Sequence, residues 1–376
     1  MDIRIFIEKL GVDFFTGVPD SQLKVLCDYL MRVYGISGKH IIPANEGNAA
    51  ALAAGYFLAT GRVPLVYMQN SGLGNITNPV ASLLNEKVYG IPCFFVIGWR
   101  GEPGTHDEPQ HVFQGEITLE MLRVLDIESF VVTKETTEEE FSAMAERAKN
   151  IAGTKKSAAF VIKKGALTDS SAEAIKYGNN NPLPREEIIR HITEKTKTDI
   201  IISTTGKASR ELFEIREGNR QSHKYDFLTV GSMGHSSSVA LGIALQKPKT
   251  KIWCIDGDGA ALMHMGAMAV IGSSGLPNFV HIVINNESHE TVGGMPTVAG
   301  RVNLCKIAEA CGYESICSAS DWDALDAALE KIRKSDRLTF LEIKASIGAR
   351  SDLGRPTTTA KKNKEDFMRF LREECV

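Results

Sequence analysis

Between Lys251 and Asn286 the chain carries an apolar run at Lys251-Ile-Trp-Cys-Ile255, then Gly257-Asp258-Gly259, then twenty-five residues, then Asn285-Asn286 at the end of a second run, Phe279-Val-His-Ile-Val-Ile284. Few folds accommodate that order. Two short β-branched runs on either side of a helix-length segment read as strand, tight turn, helix and strand. Such a crossover makes the two strands parallel. One carboxylate, Asp258, and one carboxamide, Asn286, then arrive at the same edge of a parallel sheet. Oxygen donors of this kind suit a hard cation such as Mg²⁺ that keeps phosphate partners. Gly257 and Gly259 let the backbone come close to a diphosphate, and the following helix N-terminus favours anionic charge. An aspartate that merely caps the helix is the plain alternative, but capping does not call for an Asn-Asn pair at the next strand end.

A chain of 376 residues is long for one core and comfortable for two. The apolar content of 43% and charged content of 24% are those of an ordinary soluble globular protein. A net charge of -3 argues against a general nucleic-acid binder. No apolar run reaches the roughly 18 residues of a membrane span, and the segment Met1–Lys9 is charged throughout, unlike a secretory signal. The expectation is a cytoplasmic protein without membrane or nucleic-acid partners. Seven cysteines, odd in number and widely spread, make no disulfide framework. Cys305, Cys311 and Cys317 are evenly spaced but match no zinc or iron–sulfur pattern.

The first half alternates helical and strand patterns. Asp20–Leu30 and Gly47–Thr60 have helical spacing, while Val63–Met68, Cys93–Ile97 and Ala158–Ile162 read as buried strands. The stretch from Gly165 to Glu187, with Ser170-Ser171, Gly178, Asn179-Asn-Asn181, Pro182 and Pro184, is a linker by composition. The second half restarts with a helix at Arg185. Strands follow near Asp199–Ser203, Phe227–Val230, Lys251–Ile255, Phe279–Ile284 and Leu338–Ile343, and a final helix runs from Glu365 to Glu373. Strands alternating with helices predict two α/β domains, each a mostly parallel sheet with helices on both faces.

Three further segments bear on chemistry. Pro43-Ala-Asn-Glu46-Gly-Asn-Ala-Ala50 opens the alanine-rich helix, Thr204-Thr205-Gly206 ends the first strand of the second half, and Gly231-Ser-Met233-Gly234-His235 follows the strand at Phe227. Taken singly, Glu46 reads as an acid that complements a helix dipole, and Met233 reads as core packing. Together with the Gly257–Asn286 unit, these segments resemble the thiamine-diphosphate enzymes, and the resemblance covers both halves of the chain. It implies a pyrimidine-binding domain over 1–166, a linker over 167–184 and a diphosphate-binding domain over 185–376. It implies thiamine diphosphate and Mg²⁺ as cofactors, the metal held by Asp258, Asn286 and the backbone carbonyl of Ser288. Gly257, Gly259, Thr205 and Gly206 would meet the diphosphate. Met233 would lie beneath the cofactor between its rings, with the Gly231 carbonyl accepting from the pyrimidine amino group. Glu46 would bond to the pyrimidine N1′ and favour the imino tautomer that serves as internal base. In this family the two domain types meet across a subunit boundary, which implies a homodimer or a higher symmetric assembly.

Large decarboxylases of the group carry a third, middle domain of roughly 150 residues, a usual domain size. Here the linker stands in its place, which resembles the branch acting on phosphonopyruvate and sulfopyruvate. So do Gly17–Leu23, Gln69–Asn75, Gly98–Pro103, Asp107–His111 and Ala349–Pro356. The resemblance implies non-oxidative decarboxylation of phosphonopyruvate to phosphonoacetaldehyde and CO₂, with sulfopyruvate or another 2-keto acid as the nearest alternative. Arginine forks suit a phosphonate, and the candidates are Arg100, Arg350 and Arg355, the last two in a segment placed to close as a lid. The chain lacks the adjacent histidine pair of pyruvate decarboxylases. His106 and His111 lie five apart on an expected loop, and His111 is the candidate proton-transfer group. Asp20 and Ser21 compete for the position of a family aspartate at the substrate. Two readings of other classes stay open: a metal-dependent phosphohydrolase built on Asp256 and Asp258, and a catalytically silent cofactor binder.

Overall fold

Alternation along the central strands decides the layering. In a computed structural model of the chain, which describes residues 1–170 and 175–375, Ile201, Trp253, Ile255, Val280, Ile282, Leu341 and Ile343 belong to one buried cluster. Their strand neighbours Ile200, Ile202, Ile252, Cys254, Phe279, Val283 and Phe340 belong to another. Successive side chains point to opposite faces of a strand, so each strand is apolar on both faces and demands helices on both. The expected linker residues 171–174 lie outside the described residues.

Two compact units result, Met1–Lys176 and Tyr177–Val376. The first is built on β1 (Phe15–Gly17), β2 (His40–Ile41), β3 (Leu65–Gln69), β4 (Phe94–Gly98), β5 (Glu128–Val132) and β6 (Ala158–Ile162). Their order is β2-β1-β3-β4-β6-β5, with every neighbouring pair parallel. The second has β7 (Ile200–Ser203), β8 (Asp226–Leu228), β9 (Ile252–Gly257) and β10 (Phe279–Asn285). A small antiparallel hairpin follows, β11 (Ser288–His289) and β12 (Met295–Pro296), and then β13 (Ser315–Ala319) and β14 (Thr339–Lys344). The main sheet runs β13-β14-β10-β9-β7-β8, again wholly parallel. The α/β fold with two parallel sheets is therefore as the sequence predicts.

Elements differ from expectation in physically simple ways. The helix expected from Asp20 begins at Lys24, because residues 20–23 form a turn. The C-terminal helix starts earlier, at Ala360, with the Thr359 hydroxyl accepting from Lys362 N. His111 lies in the helix Pro109–Val124, not in a loop; Pro109 sits at the start, where its missing N–H costs nothing. No helix among the described residues is long and apolar enough to cross a membrane.

Candidate functional site

In open α/β sheets ligands gather beyond the carboxyl ends of the strands. In the second unit β9 ends at Gly257, and Asp258 is the first residue of the helix Asp258–Met263. Asp258 is only 2% exposed, and its Oδ2 accepts from the Thr297 hydroxyl at 2.5 Å. Burial pushes its carboxyl up to about 6, with the nearby Glu287 adding to the effect and the Thr297 bond opposing it. Among the described residues this carboxylate has no positive partner. Asn286 follows β10 directly; its Oδ1 accepts from Ser288 N at 3.1 Å and its Nδ2 donates to Glu290 Oε2 at 2.9 Å. Ser288 opens the hairpin, its hydroxyl donating to the Gly294 carbonyl. The segment that leaves the hairpin delivers Thr297 to Asp258, and the parallel pairing of β9 with β10 sets Asp258 and Asn286 at neighbouring strand ends.

The adjoining loops are shaped for close backbone approach. Gly206, at φ +92°, precedes the helix Lys207–Gly218, whose first N–H groups have no side-chain cap. Thr205 Oγ1 accepts from Gly231 N at 2.9 Å, tying this loop to the one after β8. Thr204 Oγ1 is buried without a partner. Gly231, Ser232 and Gly234 all have positive φ, and the half-buried Met233 projects from between them. A left-handed serine in such a turn is strain of the kind found at ligand sites. An orphaned hydroxyl, a buried unpaired carboxylate and an oxygen-donor set fit a diphosphate and a hard cation.

The first unit gathers a different set. Glu46 opens the helix Glu46–Thr60 after β2 and is 5% exposed. Burial pushes its carboxyl up, and the Asn75 amide, donating to Oε2 at 2.6 Å, opposes that. Gly72 lies against the other side: a Cβ there would come within 2.8 Å of Glu46 Oε1. Asp20, beyond β1, is fully buried; its oxygens accept from Gln69 Nε2 at 2.6 Å and Gln22 N at 3.0 Å. Ser21 is exposed and accepts from Arg100 Nη1 at 3.1 Å. The Arg100 fork is otherwise taken by Asp107, at 2.7 and 2.5 Å. His111 is buried with Nδ1 unpartnered; burial, then the charge of Arg100, hold its imidazole down at about 4.

Other expectations are not brought together. Arg350 is tied to Glu186, Glu214 and Asp352, and Arg210 holds the carbonyls of Leu353 and Gly354. The segment 349–356 is thus pinned to its own unit rather than poised as a lid. Arg355 is exposed. Asp256 faces inward with Cys254, 1% exposed and 3.3 Å from His281 Nε2. Buried there, it is in no position to attack a phosphoester, so the geometry does not support the phosphohydrolase reading. Sequence reasoning missed Asn75, Gln69, Thr297 and Glu290. Most of their partners are tens of residues away, although Gln69 and Asn75 bound a segment already singled out and Glu290 lies two residues beyond Ser288.

Comparison with known proteins identifies the family. The family model for the thiamine pyrophosphate enzyme N-terminal TPP binding domain matches residues 4–122, and that for the C-terminal TPP binding domain matches residues 204–343. The chain belongs to the thiamine pyrophosphate enzyme family and, within it, to the decarboxylases. It is 33% identical to the phosphonopyruvate decarboxylase of Streptomyces viridochromogenes, over 98% of this chain and 94% of the relative. Against the phosphonopyruvate decarboxylase of Streptomyces hygroscopicus the identity is 31%, over 99% and 94%. The sulfopyruvate decarboxylase of Methanosarcina acetivorans is 24% identical, over 90% and 88%.

Proposed function

We propose that this protein decarboxylates phosphonopyruvate to phosphonoacetaldehyde and CO₂ with thiamine diphosphate and Mg²⁺. The observation that carries the cofactor assignment is Asp258, a buried carboxylate at the carboxyl end of the central strands, next to the strand end that carries Asn286, with no cationic partner among the described residues. The substrate assignment rests on two full-length relatives named for phosphonopyruvate, at higher identity than the one named for sulfopyruvate.

Asp258, Asn286 and the Ser288 carbonyl would hold the metal, and Thr204, Thr205 and Gly206 would meet the diphosphate. Met233 would support the cofactor from below, and the Gly231 carbonyl would orient its amino group. When bound, thiamine diphosphate supplies a nucleophilic carbon and a cationic ring that takes up the electron pair released as CO₂ leaves. Glu46, with Oε1 left free by Asn75, would bond to the pyrimidine ring and would be the group that holds or releases a proton there. Of the three expected arginines, Arg100 stands beside Ser21 and Asp20 and is assigned to the phosphonate. Arg100 is paired with Asp107 and Arg350 with Glu186, Glu214 and Asp352, so position rather than freedom separates them: Arg100 alone of the two bonds Ser21. His111, neutral above about pH 4 and with a free Nδ1, is assigned to proton transfer.

The working unit is proposed to be a homodimer, Glu46 coming from one chain and Asp258 from the other. Three helices support this. Glu46–Thr60 exposes Ala51, Leu52, Gly55 and Leu58, Ser236–Gln246 exposes Val239, Gly242 and Leu245, and Gly266–Ser274 exposes Ala269 and Val270. A helix apolar all round belongs in an interior, and each unit alone leaves one side of these bare. The test of substrate is CO₂ release from phosphonopyruvate, sulfopyruvate and pyruvate in parallel, with both cofactors present. The highest kcat/KM is expected with phosphonopyruvate; preference for either of the others rejects the substrate assignment.

A further inference from the structure

Asn286, the residue directly after β10, is surrounded by an outer layer that the strand itself does not provide. Its side-chain nitrogen donates to Glu290 Oε2 at 2.9 Å, its Oδ1 accepts from Ser288 N, and its backbone carbonyl accepts from Asn179 Nδ2 at 2.9 Å. Glu290 is itself clamped. Arg185 Nη1 donates to Oε2 at 2.7 Å, and Lys207 Nζ to Oε1 at 2.8 Å. Arg185 also forks onto the buried Glu211, at 2.7 and 2.8 Å. A carboxylate so paired stays ionised and can only accept. Its asparagine partner must therefore turn the amide nitrogen toward it, which fixes Oδ1 on the opposite side.

We propose that Glu290, steadied by Arg185 and Lys207, is the positioning residue of Asn286: it sets the amide so that the oxygen is presented to the divalent cation. Asn179, with Nδ2 also donating to the Ala345 carbonyl at 3.0 Å, fixes the backbone of the same residue. The segment between the two sheets is then more than a tether. Asn179 and Arg185, which flank Leu183 and its bridge to Ala345, brace the metal-ligand turn from the linker side. Partners that orient metal ligands in this way typically govern affinity by 10–100-fold.

This inference rests on the cofactor reading, and the test separates the two. Full-length protein is dialysed against EDTA, saturated with thiamine diphosphate and titrated with Mn²⁺, free Mn²⁺ being followed by its EPR signal. Wild-type protein is expected to bind Mn²⁺ in a manner dependent on thiamine diphosphate; failure there overturns the cofactor reading, and this inference with it. Given that binding, Glu290→Ala is expected to weaken Mn²⁺ by about 10–100-fold. Glu290→Gln keeps the shape and loses the charge that holds Arg185 and Lys207; it is expected to weaken Mn²⁺ as well and answers the question if the alanine variant does not fold. Asn179→Ala is expected to give a smaller loss. A Glu290→Gln protein that is less heat-stable but binds Mn²⁺ within twofold of wild type makes Glu290 merely structural and overturns the proposal.

Discussion

Replacing Asn75 by alanine removes the one side-chain donor that Glu46 has among the described residues. The amide lies 2.6 Å from Oε2 in a place where Glu46 is 5% exposed. Hydrogen bonds to charged groups contribute about 1.5–3 kcal/mol, and those to neutral groups about 0.5–1.5. The loss therefore depends on the charge of Glu46. Burial already raises the Glu46 pKa and Asn75 alone opposes it through a side chain, so the substitution raises it further. For an acid whose folded pKa is raised, the penalty is present at high pH and relieved as pH falls through the folded pKa. Urea unfolding of the cofactor-free protein should therefore show Asn75→Ala destabilised by about 1.5–3 kcal/mol at pH 8 and by distinctly less at pH 5. In the bound protein, exchange of the thiazolium C2 proton for deuterium, read by quenched NMR, should slow by about tenfold or more, because a misaimed proton carrier costs one to two orders of magnitude. Equal destabilisation at the two pH values, with exchange unchanged, would refute the claim that this amide aims the Glu46 carboxyl.

Three further outcomes are expected. Glu46→Gln and Asp258→Asn should each lose nearly all turnover, yet an equimolar mixture allowed to exchange subunits should recover about a quarter of wild-type activity, since half the dimers then hold one intact site. No recovery despite proven exchange would place both residues in the same chain's site. His111, held at about 4 against an ordinary 6.5, is protonated in the unfolded chain before it is in the folded one. Stability should therefore fall as pH drops from about 6.5 to 4. A shift of this size is worth up to ~3 kcal/mol, and partial solvent contact reduces that to about 1–2; His111→Asn should flatten this slope in pH-dependent unfolding. Arg216 and Asp226 form a bidentate pair with both side chains 0% exposed. Asp226→Ala strands the arginine and should cost about 3–5 kcal/mol in denaturant unfolding.

The central strands were legible because burial on both faces writes them as continuous apolar runs; β3, β4, β6, β9, β10 and β14 all fall within a residue or two of the pattern. Missed strands were those too short for a pattern or, like β5 and β13, at a sheet edge with one side partly exposed. β1 has three residues and β2 two, while β5 is an edge strand whose first residue, Glu128, is exposed. Asp258, Asn286 and Glu46 were legible because a strand end and a helix start fix their places locally. Their supports were not. Asn75 reaches Glu46 across 29 positions and Arg185 reaches Glu290 across 105. No periodicity records such a pairing. Arg350 shows the converse: beside a glycine in a loop it reads as free, and only the fold reveals Glu186 and Glu214 around it.

The most direct test of the account is CO₂ release from phosphonopyruvate by EDTA-dialysed protein, measured with neither cofactor, with each alone and with both. The account predicts release only when thiamine diphosphate and Mg²⁺ are present together. Release that is indifferent to both, or none under any condition, would contradict the assignment of the Asp258–Asn286 turn as the anchor of a working cofactor.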